Sequence, residues 1–291
     1  MMMKTRVKAL PLLAMATILF AGAAWAQPSA LDRRALAPFG PTIGYADLAD
    51  LALAARVAVV ATVHDATRLK GPDAVGVAPG ATRFYVVGDV DALIVGPGVP
   101  ARISWLVDLP NDAANRPAKL KKQKLVLLAR TSPGEPGTLQ LVARSAELSW
   151  SPALESQLRG ILRELNGAGA PPVVTGIGHA FHVAGSIPGE GETQIFLKTA
   201  DSRPVSLSVQ RHPGEDTRWS VSLGEIVDDA AAPPARDTLL WYRLACALPP
   251  VLPDDSVADQ APEDAAQART DYRFVLDQLG ACGRTTGKDA R

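Results

Sequence analysis

Two series of residues that alternate apolar and polar, divided by the hexapeptide Gly167-Ala168-Gly169-Ala170-Pro171-Pro172, constrain this chain more than any other feature. Apolar groups at every second position call for strands, because successive side chains of a strand point to opposite faces. The hexapeptide carries no side chain able to bury surface and reads as a linker. The pattern predicts a β-rich α+β chain in two domains, residues 42–166 and 173–285, with the linker at 167–172.

The first series opens with Leu48, Leu51, Ala52 and Ala55 at helical spacing, which predicts a short amphipathic helix from about Tyr45. A strand over 57–63 follows, with Val57 and Val59 on one face and Ala58 and Val60 on the other, as in a strand covered on both sides. Over 83–95, Phe84, Val86, Val90 and Ile94 share a face and Gly88 interrupts the run. A glycine inside a long alternating strand marks a bulge or sharp bend, which curls a sheet toward a barrel. Ile103, Trp105, Val107 and Leu109 form a third alternating strand. Strands over 125–130 and 139–144 then flank the turn formers Ser132, Pro133, Gly134, Pro136 and Gly137. Ser151 followed by Pro152 is a helix start, and Leu154, Leu158, Ile161, Leu162 and Leu165 form its buried stripe up to Asn166 and Gly167.

Five curled antiparallel strands with short flanking helices resemble the OB-like barrels of many exported proteins, including the netrin-like modules related to metalloproteinase inhibitors. The resemblance is one of pattern and covers about residues 42–166. The cysteine framework of the netrin-like proteins is missing, so protease inhibition does not follow from it.

The second series predicts strands over 178–183, 193–199, 205–211 and 218–227, an antiparallel meander apolar on one face only. Such a meander needs a cover. Helices over 237–247 and 262–279, the second ended by Gly280, supply it. Cys246 and Cys282, the only cysteines, fall at the ends of these helices. An oxidising compartment joins such a pair, the alternative being two separate buried thiols. In a tight helical hairpin the two ends would lie about 13 Å apart, too far for a disulfide. A disulfide therefore requires crossed or near-parallel helices, which the long connection over 248–261 permits.

At the N-terminus, Lys4, Arg6 and Lys8 precede an apolar run over 9–21, and Ala24 and Ala26 form an A-x-A site. These are the parts of a Sec signal peptide over residues 1–26, cleaved between Ala26 and Gln27. The run falls short of the ~20 apolar residues that span a bilayer, and Pro11 interrupts it. With no later apolar segment of that length, the expectation is an exported chain in the periplasm or outside the cell, without a transmembrane segment. Residues 27–41 are expected to be an extended lead-in and 286–291 a disordered tail. The mature chain keeps 27 basic against 30 acidic side chains, a balance too mild to select nucleic acid or another polyanion.

Candidate chemistry is sparse. His179 and His182 form an H-x-x-H pair, but on a strand residues three apart face opposite sides, which splits them. No metal or other cofactor is expected, since the H-E-x-x-H, calcium-loop and dinucleotide signatures are absent. Ser186, Glu190 and Glu192, in a glycine- and proline-bearing loop beside those histidines, hold the parts of a hydrolytic site or form a long turn. Lys119, Lys121, Lys122 and Lys124 are four of the seven lysines after residue 26. They offer a surface for another envelope protein or an anionic envelope surface, or they guard a strand edge. The function expected is a non-catalytic binding or assembly module of the cell envelope. The alternative is a periplasmic hydrolase using Ser186 with His179 or His182 as base.

Overall fold

A computed structural model describes residues 43–224 and 231–285. The signal peptide expected over 1–26, the lead-in expected over 27–41, the tail expected over 286–291 and the end of the strand expected over 218–227 lie outside the described residues. The two faces of β1 (Val57–Arg68) belong to different cores: Val57, Val59, Ala61 and Val63 enter one, while Ala58 and Val60 enter the other. The first core is the inside of a barrel. β2 (Ala81–Val95), β3 (Arg102–Pro110), β5 (Glu135–Leu141) and β4 (Lys124–Ser132) follow β1 around the sheet, and β4 pairs back with β1. All of these pairs are antiparallel except β3 with β5, so the ring is a closed, mixed, five-stranded barrel.

The bend expected at Gly88 has a steric cause. A Cβ there would stand 2.9 Å from the ring of Trp105, whose indole fills the barrel. Opposite Gly88 the register of β1 slips between Val63 and Asp65, so the extra residue of the bulge is His64. Further slips between Val60 and Ala61, and between Ala58 and Val59, change which way the end of β2 faces. Ile94 therefore leaves the face it was expected to share with Phe84 and Val86, and packs in the outer core.

A three-residue strand, β6 (Glu147–Ser149), adds to β4 and was not anticipated. It turns Glu147 inward, where Oε2 accepts a hydrogen bond from Trp105 Nε1 at 2.5 Å. Oε1 is buried and has no hydrogen-bond partner among the described residues. Burial pushes this carboxyl up to about 7 against the hydrogen bond from Trp105.

The outer core forms where α1 (Tyr45–Ala54) and α2 (Pro152–Asn166) cover Ala58, Val60, Val126 and Leu128. Ser151 caps α2 as expected, its Oγ accepting from Leu154 N at 3.1 Å.

The second sheet is the meander β7 (Val174–Ala184), β8 (Gly191–Thr199), β9 (Ser206–Arg211) and β10 (Arg218–Ser222), in spatial order β10-β9-β8-β7. Its apolar face, with Ile177, Ala180, Ile195 and Leu207, is covered by α3 (Leu239–Ala245) and α4 (Pro262–Leu279). Cys246 and Cys282 are joined, with Cα atoms 4.9 Å apart. In the first turn of α3, Trp241 Nε1 donates to Leu279 O at 2.9 Å. Both ends of α3 thus meet the C-terminal end of α4, so α3 crosses it, as the disulfide requires.

Residues 167–173 form neither helix nor strand. Around them, contacts tie the two halves of the fold together: Glu164 Oε2 accepts from Leu239 N at 2.8 Å, and Tyr45 stands edge-on to Trp241 at 6.1 Å. No helix among the described residues is long and apolar enough to cross a membrane.

Candidate functional site

Helices cover one face of the second sheet. On the other, a cavity of about 840 Å³ opens, with Phe181, Val183, Glu192, Gln194, Phe196 and Ser206 in its lining. Register explains the arrangement. Phe181 pairs with Gln194 and Val183 with Glu192, while across β8 Gln194 meets Ser208 and Glu192 meets Gln210. Phe196 lies diagonal to Phe181, within reach for aromatic side chains, and the two rings stand 6.0 Å apart. Val183 and Phe196 remain exposed.

Glu192 is held from one side only. Gln194 Nε2 donates to its Oε1 at 2.5 Å and Ser208 Oγ donates to the same oxygen at 2.9 Å. Oε2 has no hydrogen-bond or ion-pair partner among the described residues, and no lysine or arginine lines the cavity. On this open face the nearest arginine by register is Arg218, opposite Gln210, and it pairs with Glu215 at 3.0 Å, while Arg211, opposite Gly191, turns to Asp271 on the helix side. Glu190 lies at the rim, its Oε1 3.7 Å from His212 Nδ1, and Ser186 lines the same cavity.

The histidine pair separates as expected. His179 is exposed, its ring 6.2 Å from that of Phe181 on the open face, and it does not line the cavity. His182 turns to the helix side, where Nδ1 lies 2.9 Å from Thr193 Oγ1. That hydroxyl donates to Asp271 Oδ2 at 2.5 Å, and Asp271 Oδ1 accepts from Arg211 Nε at 2.7 Å and Gln267 Nε2 at 3.0 Å. Because the Thr193 proton serves Asp271, the Thr193 oxygen accepts and His182 Nδ1 carries its own proton. The imidazole edge lies against Gly191, where a Cβ would meet Cε1 at 2.7 Å. This chain of polar groups fastens α4 to the sheet. The structure thus brings Ser186, Glu190 and Glu192 to one cavity, adds His212, and places His179 and His182 elsewhere.

The lysines stand at the barrel. Lys119, Lys121 and Lys122 are exposed and make no ion pair among the described residues, whereas Lys124 lies 3.8 Å from Asp91 and 4.2 Å over the Trp150 ring. They guard no edge, since at Lys124 strand β4 pairs with β1 and Lys124 O accepts from Trp150 N at 3.0 Å. Another, smaller hollow of about 660 Å³ lies over β2, β3 and β5, with exposed Tyr85 opposite Leu106. There Arg83 grips Asp108 in two bonds of 2.6 and 2.9 Å, which holds the Asp108 carboxyl below its ordinary range, and exposed Arg144 lines the same hollow.

Sequence reasoning missed Phe181, Phe196, Gln194, Ser208 and His212. The available signal was parity: Phe196 occupies the same face of β8 as Gln194 and Lys198, an aromatic where alternation calls for a solvated side chain. No protein-family model matches this chain, and no curated protein matches it at a significant level.

Proposed function

We propose that the protein is an exported, non-catalytic binding or assembly module of the cell envelope, working through the groove on the open face of the second sheet. The groove carries this reading: it combines an aromatic pair, half-buried Phe181 and exposed Phe196, with a carboxylate anchored on one oxygen only, in a volume typical of recognition sites. The signal peptide read in residues 1–26 and the joined Cys246 and Cys282 support an address in the periplasm or beyond. Lys119, Lys121 and Lys122 supply a second contact surface, toward an acidic partner protein or an anionic envelope surface.

Photo-cross-linking in the native envelope tests this. A photoreactive residue at Val183 is expected to yield a discrete adduct with one protein, absent when the same residue replaces Val75, which is exposed on the barrel. Identical adducts from both positions, or adducts with the protein itself alone, would overturn the reading.

A second reading, a periplasmic hydrolase on the Ser186–Glu192 loop, draws on one observation: His212 stands beside Glu190 in the cavity that Ser186 also lines. In that case a fluorophosphonate probe labels Ser186, and His212→Ala abolishes the labelling. No labelling of the folded protein would eliminate this alternative.

A further inference from the structure

The groove has a charge character that names its ligand. That ligand follows if the groove is the working surface proposed above. Two carboxylates, Glu190 and Glu192, face a lining without lysine or arginine, and the nearby Arg218 is paired to Glu215. Glu190 has a partner in His212 at 3.7 Å, whereas Glu192 has only the neutral donors Gln194 and Ser208, both on Oε1. These two bonds fix the carboxylate in place and leave Oε2 open. Phe181 and Phe196 stand in the same lining, and an aromatic face attracts a cation within about 6 Å of its centre. A guanidinium on a flexible aliphatic stem satisfies all of these features: the stem packs on the rings and Val183, and an N–H group donates to Oε2.

We propose that the groove takes an arginine or lysine side chain from a basic segment of a partner protein, with Glu192 as the anchoring anion and Phe181 and Phe196 as the aromatic wall. Exposed Val183 and Phe196 set the context: the residues flanking the cation are apolar. Glu190, with its Oε1 3.7 Å from His212 Nδ1, places a second carboxylate at the rim.

The test uses the mature protein and a random peptide library displayed on phage. Peptides carrying arginine or lysine next to apolar residues are expected to be enriched, and Glu192→Gln is expected to remove that enrichment. The variant keeps a carbonyl to accept from Ser208 and Gln194, so its thermal melt should match the parent and report folding separately. For the best enriched peptide, titration calorimetry should show binding weakened tenfold or more when arginine is replaced by uncharged citrulline, and likewise by Phe196→Ala. Enrichment of acidic or uncharged peptides, the same set on parent and variant, or no enrichment at all would overturn the proposal. So would preferential capture of a small organic amine or of a second copy of the chain. If position 183 still cross-links a partner in the envelope while the peptide tests fail, the binding module stands and the ligand class falls.

Discussion

Replacing Glu147 by glutamine should make this protein more stable in weakly alkaline solution and change it little in acid. The carboxyl sits inside the barrel with one oxygen on Trp105 and the other without a partner among the described residues, and burial raises it from 4.5 to about 7. An acid that holds its proton more tightly when folded stabilises the fold only while that proton is bound. The contribution is fully present below about 4.5, declines as the unfolded chain ionises and the folded one does not, and levels off above about 7. At 1.36 kcal/mol per pH unit, a shift of this size corresponds to about 3 kcal/mol lost between acid and pH 8. Glutamine keeps an acceptor for Trp105 and carries no charge, so the variant lacks the decline. Urea unfolding of both proteins at pH 5 and pH 8 supplies the measurement. Taking the difference between them cancels all other titrating groups, and the variant should gain about 2 to 3 kcal/mol on the parent between the two conditions. An equal gap at both pH values, or a variant that is the weaker at pH 8, would refute the reasoning.

Other perturbations read different parts of the fold. Gly88→Ala puts a methyl 2.9 Å from the Trp105 ring and should cost about 1 to 3 kcal/mol, whereas Gly98→Ala, with nothing within 4 Å of its Cβ, should cost far less; thermal melts compare the two. Cys246→Ser with Cys282→Ser opens a loop of about 37 residues and should cost about 4 kcal/mol in the chain-entropy model, a loss the parent should reproduce in reductant and the variant should not repeat. Asp271→Ala leaves the Thr193 hydroxyl and the partly exposed Arg211 guanidinium without their acceptor. Chemical denaturation should show a loss of about 3 kcal/mol, with α4 the first element to lose hydrogen-exchange protection.

The barrel also shows why its buried acid escapes sequence reading. β6 is three residues long, too short for its alternation to register, and Glu147 looks like a surface residue until its pairing with Leu127 points it inward. The groove hid for the opposite reason. Its alternation was plain, and Phe196 appeared only as an exception to a pattern that otherwise read as solvent-facing.

What the sequence by itself determined was local and periodic: the ten-residue α1, the capped start of α2, the two faces of β1, the one-sided meander and the helices that cover it. Each follows from parity or helical spacing within a dozen residues, where one hydrophobic pattern selects one backbone. Tertiary structure alone decided how those pieces meet. Closure of β4 onto β1, the parallel contact of β3 with β5 and the transfer of Ile94 between cores depend on register, which a single bulge reverses and no local pattern encodes. The same holds for the candidate site. Phe181 meets Phe196, and Glu190 meets His212, only because adjacent strands pair in one register, and the energy that selects that register is the burial of the opposite face against α4.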